Sequence, residues 1–256
     1  MQQERWPLAP SALAACICRV NPWTAARSAR TMMDVATRLQ SFSTAQRIAL
    51  AAPPVLIISM CGVFQYLRGA LGFPLGYLIA FIVYWTGWCG VLPALLLGRD
   101  RIFDLLAPRA SFRSLDLRTR TLLLWPIVFA LAFAFVPRIG TAGAAVLFVS
   151  AILGLVIGVT EEVLWRGVYV SLFGENAWLA SIYPSLGFGL WHLCPLSVLP
   201  SRYPGGFVSF TAYSILLGLS YAYYARRARS IFWCTVSHCV HDALGLGGFV
   251  YMRGFP

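Results

Sequence analysis

No lysine occurs in the 256 residues, so all twenty cationic side chains are arginines, and only nine residues are acidic. Charged residues make up 11% of the chain against 59% hydrophobic residues. A water-soluble domain needs far more charge than this to cover its surface. Paired metal-type cysteine spacing is also missing. The seven cysteines are odd in number and fall mostly in apolar stretches, which suits buried free thiols better than a disulfide framework or a zinc ribbon. Cys16-x-Cys18 is closer than the usual C-x-x-C pattern and carries no assigned role. There is no H-E-x-x-H, no glycine-rich phosphate loop followed by G-K-S or G-K-T, no internal repeat and no low-complexity linker.

What is present is length in apolar runs. A bilayer crossing takes about 20 residues, and runs of that order lie near 48–66, 71–97, 121–137, 141–173, 178–200, 207–225 and 231–250. The expectation is an all-α, polytopic membrane bundle of about seven transmembrane helices. It divides into a basic arm over 1–47, N-terminal transmembrane helices over 48–140 and a core over 141–256. In the arm, the apolar run from Ala12 to Cys18 is too short to span and has no signal-peptide flank, and Met32 and Met33 offer alternative starts.

The arginines are placed asymmetrically. Six precede the first run, six lie between Arg99 and Arg120, and three are Arg226, Arg227 and Arg229. Single arginines at 68, 138, 202 and 253 mark the alternate loops. With seven spans the first fifteen share one side, which the positive-inside rule makes cytoplasmic, with the N-terminus. That accounts for the net charge of +11 without nucleic acid, and the clusters suit anionic lipid headgroups. The expected location is an integral, multi-pass one in a bacterial inner membrane.

Against this background a few charges stand out. Glu161, Glu162 and Asp242 fall inside apolar runs, as do all three histidines, His192, His238 and His241. A carboxylate at mid-membrane costs roughly 2.5 to 3.5 kcal/mol on insertion scales, so its presence points to a buried functional site. On a helix Glu162 and Arg166 are four apart and suited to an ion pair. Glu161, about 100° around, is left without that cation and is placed to serve as a general base. Phe188 and His192 are four apart on one face. His238, His241 and Asp242 are spaced three and four apart on another. At about 1.5 Å per residue, Glu161, His192, His238 and Asp242 can meet at one depth.

The chemistry that such a group supports is activation of water. Glu161 takes the proton, and His192 orients the water or returns the proton to a leaving amine. His238 and Asp242 face a developing oxyanion, Asp242 donating only if protonated and otherwise fixing the tautomer of His238. A metal variant is also open, with zinc held by Glu161, His192 and His238. The metal-free version, with no cofactor, is preferred because the ligands of the metal variant come from three helices.

Together the segments E-E-x-x-x-R (Glu161, Glu162, Arg166), F-x-x-x-H (Phe188, His192) and H-x-x-x-D (His238, Asp242) resemble the CPBP family of intramembrane proteases, which includes the type II CAAX prenyl endopeptidases and the bacterial Abi proteins. The resemblance covers roughly 143–250. It implies an endopeptidase that cuts near the C-terminus of a membrane-associated, in some cases lipidated, protein or peptide. Glu161 and His192 would be the catalytic pair, His238 and Asp242 the oxyanion pocket, and Glu162 with Arg166 the brace. Asp242 stands where the prenyl endopeptidases have asparagine, and His241 belongs to no motif of the family. Two rivals from other classes are a proton-coupled transporter, since intramembrane Glu and His chains relay protons, and a non-catalytic immunity or scaffold protein. The first predicts ion flux, and the second predicts function that survives loss of Glu161 and His192.

Overall fold

The computed structural model describes residues 42–200 and 205–252. Cys16, Cys18, Met32, Met33, Arg202 and Arg253 lie outside the described residues, as does most of the basic arm. The chain divides into two units, Met1–Arg47 and Ile48–Pro256.

The described residues are helical, without strands. Helix α1, Thr44–Leu71, opens on a reciprocal cap. Gln46 N–H donates to Ser43 Oγ at 3.2 Å while Ser43 N–H donates to Gln46 Oε1 at 3.0 Å, an S-x-x-Q capping box. Its inner stripe is Ala49, Ala52, Leu56, Met60 and Phe64, yet its outer face is apolar too, with Val55 and Ile58 exposed. A helix that is apolar all round has lipid as its outer solvent. Gly72, at φ 72°, ends α1 in the left-handed region. Helix α2 covers Leu75–Leu97 and stops at Gly98, φ 77°. The short α3, Arg99–Leu105, follows.

The next apolar stretch, Leu117–Phe173, runs for 57 residues, about 85 Å if straight and more than twice a bilayer core. It bends at Gly143, whose φ of 71° and ψ of 161° interrupt the helix. The two arms are α4 (117–142) and α5 (144–173). Asp116 caps α4 by accepting from Thr119 N–H at 3.0 Å and Thr119 Oγ1–H at 2.8 Å. These two bonds hold its carboxyl below the usual aspartate value. Helix α6 covers 178–191, and a single turn, Leu193–Leu196, follows His192. Helices α7 (Gly206–Ala228), α8 (Phe232–Leu244) and α9 (Gly248–Met252) complete the order.

Among the described residues, three segments are long and apolar enough to cross a membrane: α1, α2 and the α4–α5 stretch. The apolar runs at 178–200 and 231–250 are each interrupted, at His192 and around Gly245–Gly247. The 13 residues of α8 reach only about 20 Å. Both runs carry small and polar residues where helices approach closely, which shortens the regular helix.

Packing follows from those small residues. On α5 every fourth residue is buried: Ala142 at its entry, then Val146, Ser150, Gly154, Gly158 and Glu162. A Cβ on Gly154 would lie 2.6 Å from Cys239 O, and one on Gly158 would lie 2.6 Å from Cys239 N. The backbones of α5 and α8 therefore touch along this stripe, a small-xxx-small contact. Helix α8 also lies against α4, α9 packs on α5, and α6 packs on α7. The entry to α8 is tied to the segment after α3. Ile231 N–H donates to Leu105 O at 2.8 Å, Ser230 Oγ to Ala107 O at 2.8 Å, and Trp233 Nε1–H to Ala110 O at 2.9 Å. Arg227 lies 3.9 Å from Asp116, and Arg229 pairs with Glu175. The loops rich in arginine thus gather at one end of the bundle.

Candidate active site

The stripe that brings α5 against α8 ends at Glu162, and there the packing turns polar. Glu161, Glu162, Arg166 and His238 are all buried, at 3%, 0%, 1% and 2% exposure. Charges so enclosed call for partners, and Glu162, Arg166 and His238 share hydrogen bonds, while Glu162 Oε2 and Arg166 Nη2 have none. Arg166 Nη1–H donates to Glu162 Oε1 at 2.7 Å, the i, i+4 pair expected from the sequence. It forms although residues 163–168 are wound as a wide π-type turn, a feature often found at functional sites. The guanidinium also lies 4.5 Å from the Phe188 ring centre and 5.4 Å from that of Tyr221. Its charge is therefore spread over a carboxylate and two aromatic faces.

The same Glu162 Oε1 accepts from His238 Nδ1–H at 2.8 Å. This turns His238 Nε2 toward the remaining carboxylates, 3.5 Å from Asp242 Oδ2 and 3.9 Å from Glu161 Oε2. Three of the site residues anticipated from the sequence, Glu161, His238 and Asp242, thus converge on one imidazole nitrogen. The imidazole within 4 Å of Glu161 is that of His238 rather than His192. His192, half-buried at the end of α6, donates Nδ1–H to Phe188 O at 2.8 Å, which leaves its Nε2 free. The Phe188 ring bridges the two, with centres 4.9 Å from His192 and 6.0 Å from His238. Phe188 therefore touches Arg166, His192 and His238 at once, a larger part than the wall beside His192 that its spacing suggests.

Asp242 and His241 form the more open edge, with side chains 18% and 16% exposed. His241 Nδ1–H donates to Asp242 Oδ1 at 2.7 Å, and its Nε2 meets Tyr213 OH at 2.8 Å. Tyr221 OH shares a hydrogen bond with Ser237 Oγ at 3.0 Å, and Trp165 Nε1–H donates to Tyr84 OH at 2.9 Å. Tyr213, Tyr221 and Tyr84 are not among the residues that the motifs single out. The available signal on α7 is that Tyr213 and Tyr221 sit eight apart in an apolar run, and so nearly on one face.

Among the described residues, His238, His241 and Asp242 offer ligand atoms within 4.8 Å of one another, a spacing that could hold a metal ion. This set differs from the Glu161, His192 and His238 of the sequence-based metal variant. Two imidazoles and a carboxylate suit zinc, although both nitrogens of His241 are already engaged.

Comparison with curated proteins and with solved structures gave no match. The family model described as Type II CAAX prenyl endopeptidase Rce1-like matches residues 141–244, which run from the bend before α5 to the end of α8 and include every residue of the three motifs. The part of the chain that builds this polar cluster is therefore similar to the CAAX protease family.

Proposed function

We propose that the protein is an intramembrane endopeptidase that hydrolyses a peptide bond of a membrane-associated protein or peptide with water activated by Glu161. One observation carries this reading: Glu161 is buried, free of the Arg166 pair, and 3.9 Å from the His238 nitrogen that Asp242 also faces. The match of residues 141–244 to a CAAX prenyl endopeptidase family model supports the reaction class.

In this mechanism Glu161 takes a proton from water, and the oxygen attacks the scissile carbonyl. His192, its Nδ1–H held by Phe188 O, uses the free Nε2 to orient the water and return a proton to the leaving amine. In this mechanism Asp242, paired through Oδ1 with His241 Nδ1, serves as an acceptor rather than as an oxyanion donor. It acts by holding His238. Glu162 Oε1 lies beside Nδ1 of His238 and Asp242 Oδ2 beside Nε2, and in this mechanism Nε2–H faces the oxyanion. A single preorganised donor of this kind contributes about 10² to 10³ in rate. Glu162 and Arg166 fix the floor on which His238 stands. No cofactor is required. If zinc were used, the residues at hand would be His238, His241 and Asp242, and chelation would abolish cleavage.

The arrangement of charge supports seven spans with the N-terminus in the cytoplasm. The loops at 99–116 and 226–231 meet at one end of the bundle, as parity requires of segments on one membrane side. Arginine clusters at that end would meet anionic lipid. The substrate would be cut near its C-terminus, where a lipidated segment lies against the membrane.

The decisive experiment is Glu161→Gln in membrane-reconstituted protein. Cleavage of a susceptible lipidated peptide should be lost while the melting temperature is kept, and chelators should leave wild-type cleavage unchanged. Full cleavage by the Gln variant would refute the assignment.

A further inference from the structure

Away from the polar cluster, at the far end of α1, two thiols face each other. Cys61 Sγ and Cys194 Sγ are 2.7 Å apart, although 133 residues separate them in the chain. Two unbonded sulfurs keep a wider gap, and a disulfide is about 2.05 Å long. The approach is not an isolated accident of two side chains. One turn earlier on α1, Ile57 O accepts from Cys194 Sγ at 3.2 Å. One turn later, Gln65 Nε2–H donates to Ser197 Oγ at 2.9 Å and to Ser197 O at 3.3 Å. Positions 57, 61 and 65 form a single stripe of α1, and the turn Leu193–Leu196 with Ser197 lies along it in fixed register. Cys61 is half-buried and Cys194 buried, so a reagent reaches the pair through Cys61.

We infer that Cys61 and Cys194 form a disulfide that fastens α1 to the turn following His192. The compartment agrees, resting on the orientation proposed above: Cys61 lies near the Arg68 end of α1, opposite the arginine-rich loops. That end faces the oxidising side of a bacterial inner membrane, where disulfides form and persist. The step is a thiol–disulfide exchange with an exported protein or low-molecular-weight disulfide as oxidant. The Cys61 thiolate attacks one sulfur of the oxidant and displaces its other sulfur as a thiolate. Cys194 thiolate then attacks Cys61 sulfur and displaces the second. Two thiols of this chain become one S–S bond, two protons are released, and the oxidant gains the two electrons as a pair of thiols. Because Cys194 is two residues beyond His192, the bond would hold the end of α6, and with it the His192 ring, against α1.

The test has two arms. In the first, purified full-length protein in detergent is treated with oxidised glutathione, free thiols are blocked with N-ethylmaleimide, and proteolytic fragments are weighed with and without reductant. A Cys61–Cys194 linked peptide is expected, two hydrogens lighter than its parts and absent from Cys61→Ser. The closed protein should melt higher than the reduced one, and Cys61→Ser should lose that difference. A glutathione adduct on Cys61 without the linked peptide would show that the oxidant arrived and the pair did not close, which would overturn the inference. In the second arm, cells are alkylated before lysis. A linked peptide there supports both the pair and the orientation. Free thiols in cells together with closure in the first arm leave the pair standing and overturn the placement of this end outside.

Discussion

Gly158 offers a way to move the site without touching any of its side chains. In Gly158→Ala the new Cβ would lie 2.6 Å from Cys239 N and Cys239 Sγ and 2.9 Å from Cys239 Cα. Carbon contacts settle at about 3.5–4.0 Å, and two of the obstructing atoms are backbone, so no rotamer change relieves the clash. Helix α8 must retreat from α5 by about 1 Å. The neighbour of Cys239 is His238, whose 2.8 Å bond to Glu162 would then exceed the range of a hydrogen bond. Loss of a bond to a charged group costs about 1.5–3 kcal/mol. A displacement of about 1 Å at catalytic groups costs on the order of 10² in rate. Thermal melting in detergent should show the destabilisation, and turnover of a lipidated reporter peptide should fall about a hundredfold. Gly87→Ala, where an added Cβ meets nothing within 4 Å, is the matched control and should change neither. A Gly158→Ala protein with wild-type melting and turnover would refute the claim that this contact sets the position of α8.

Two further substitutions probe charge. Arg166→Met leaves buried Glu162 with His238 as its remaining partner and should cost about 3–5 kcal/mol, read by unfolding in mixed micelles. Adding Glu162→Gln should recover part of it, since contacting residues are non-additive. Asp116→Ala removes the cap of α4. The Asp116 carboxyl is held low by Thr119 N–H and Oγ1–H. The stability it adds is present above the unfolded aspartate value of about 3.9 and is lost as pH falls through the lower folded value. The melting difference between wild type and Asp116→Ala should therefore be constant near neutral pH and close in strong acid. A gap that widens toward acid would contradict the cap.

The motif residues were legible in the sequence because each pair lies within one helix, where spacing alone decides whether two side chains share a face. Glu162 with Arg166 and His192 with the Phe188 turn are of this kind. Partnerships between helices were not. That His238 would bond Glu162 and face Glu161 depends on the axial register of α8 on α5, and this register is fixed by Gly154 and Gly158 meeting the backbone around Cys239 and Ala243. Nothing in the spacing of H-C-V-H-D reports it. The sequence also treated 231–250 as one run, whereas Leu246, at φ 57°, separates α8 from α9. A positive φ at leucine is not written in its hydropathy. Tyr213 is not legible for a related reason: a tyrosine in a membrane run reads as interfacial, and only the tertiary fold shows it bound to His241.

The bend at Gly143 has a consequence for biosynthesis. Helices α4 and α5 are the two arms on either side of this bend, and α8 rests against both of them. In chain order both arms are complete before α8 is made, so Glu162 at the end of the small-residue stripe precedes its partner His238. His238 and Asp242 arrive together, on the helix that fills the gap. A nascent chain that has both arms but not yet α8 holds Glu161 without its His238 neighbour, so the polar cluster forms only when the bundle closes.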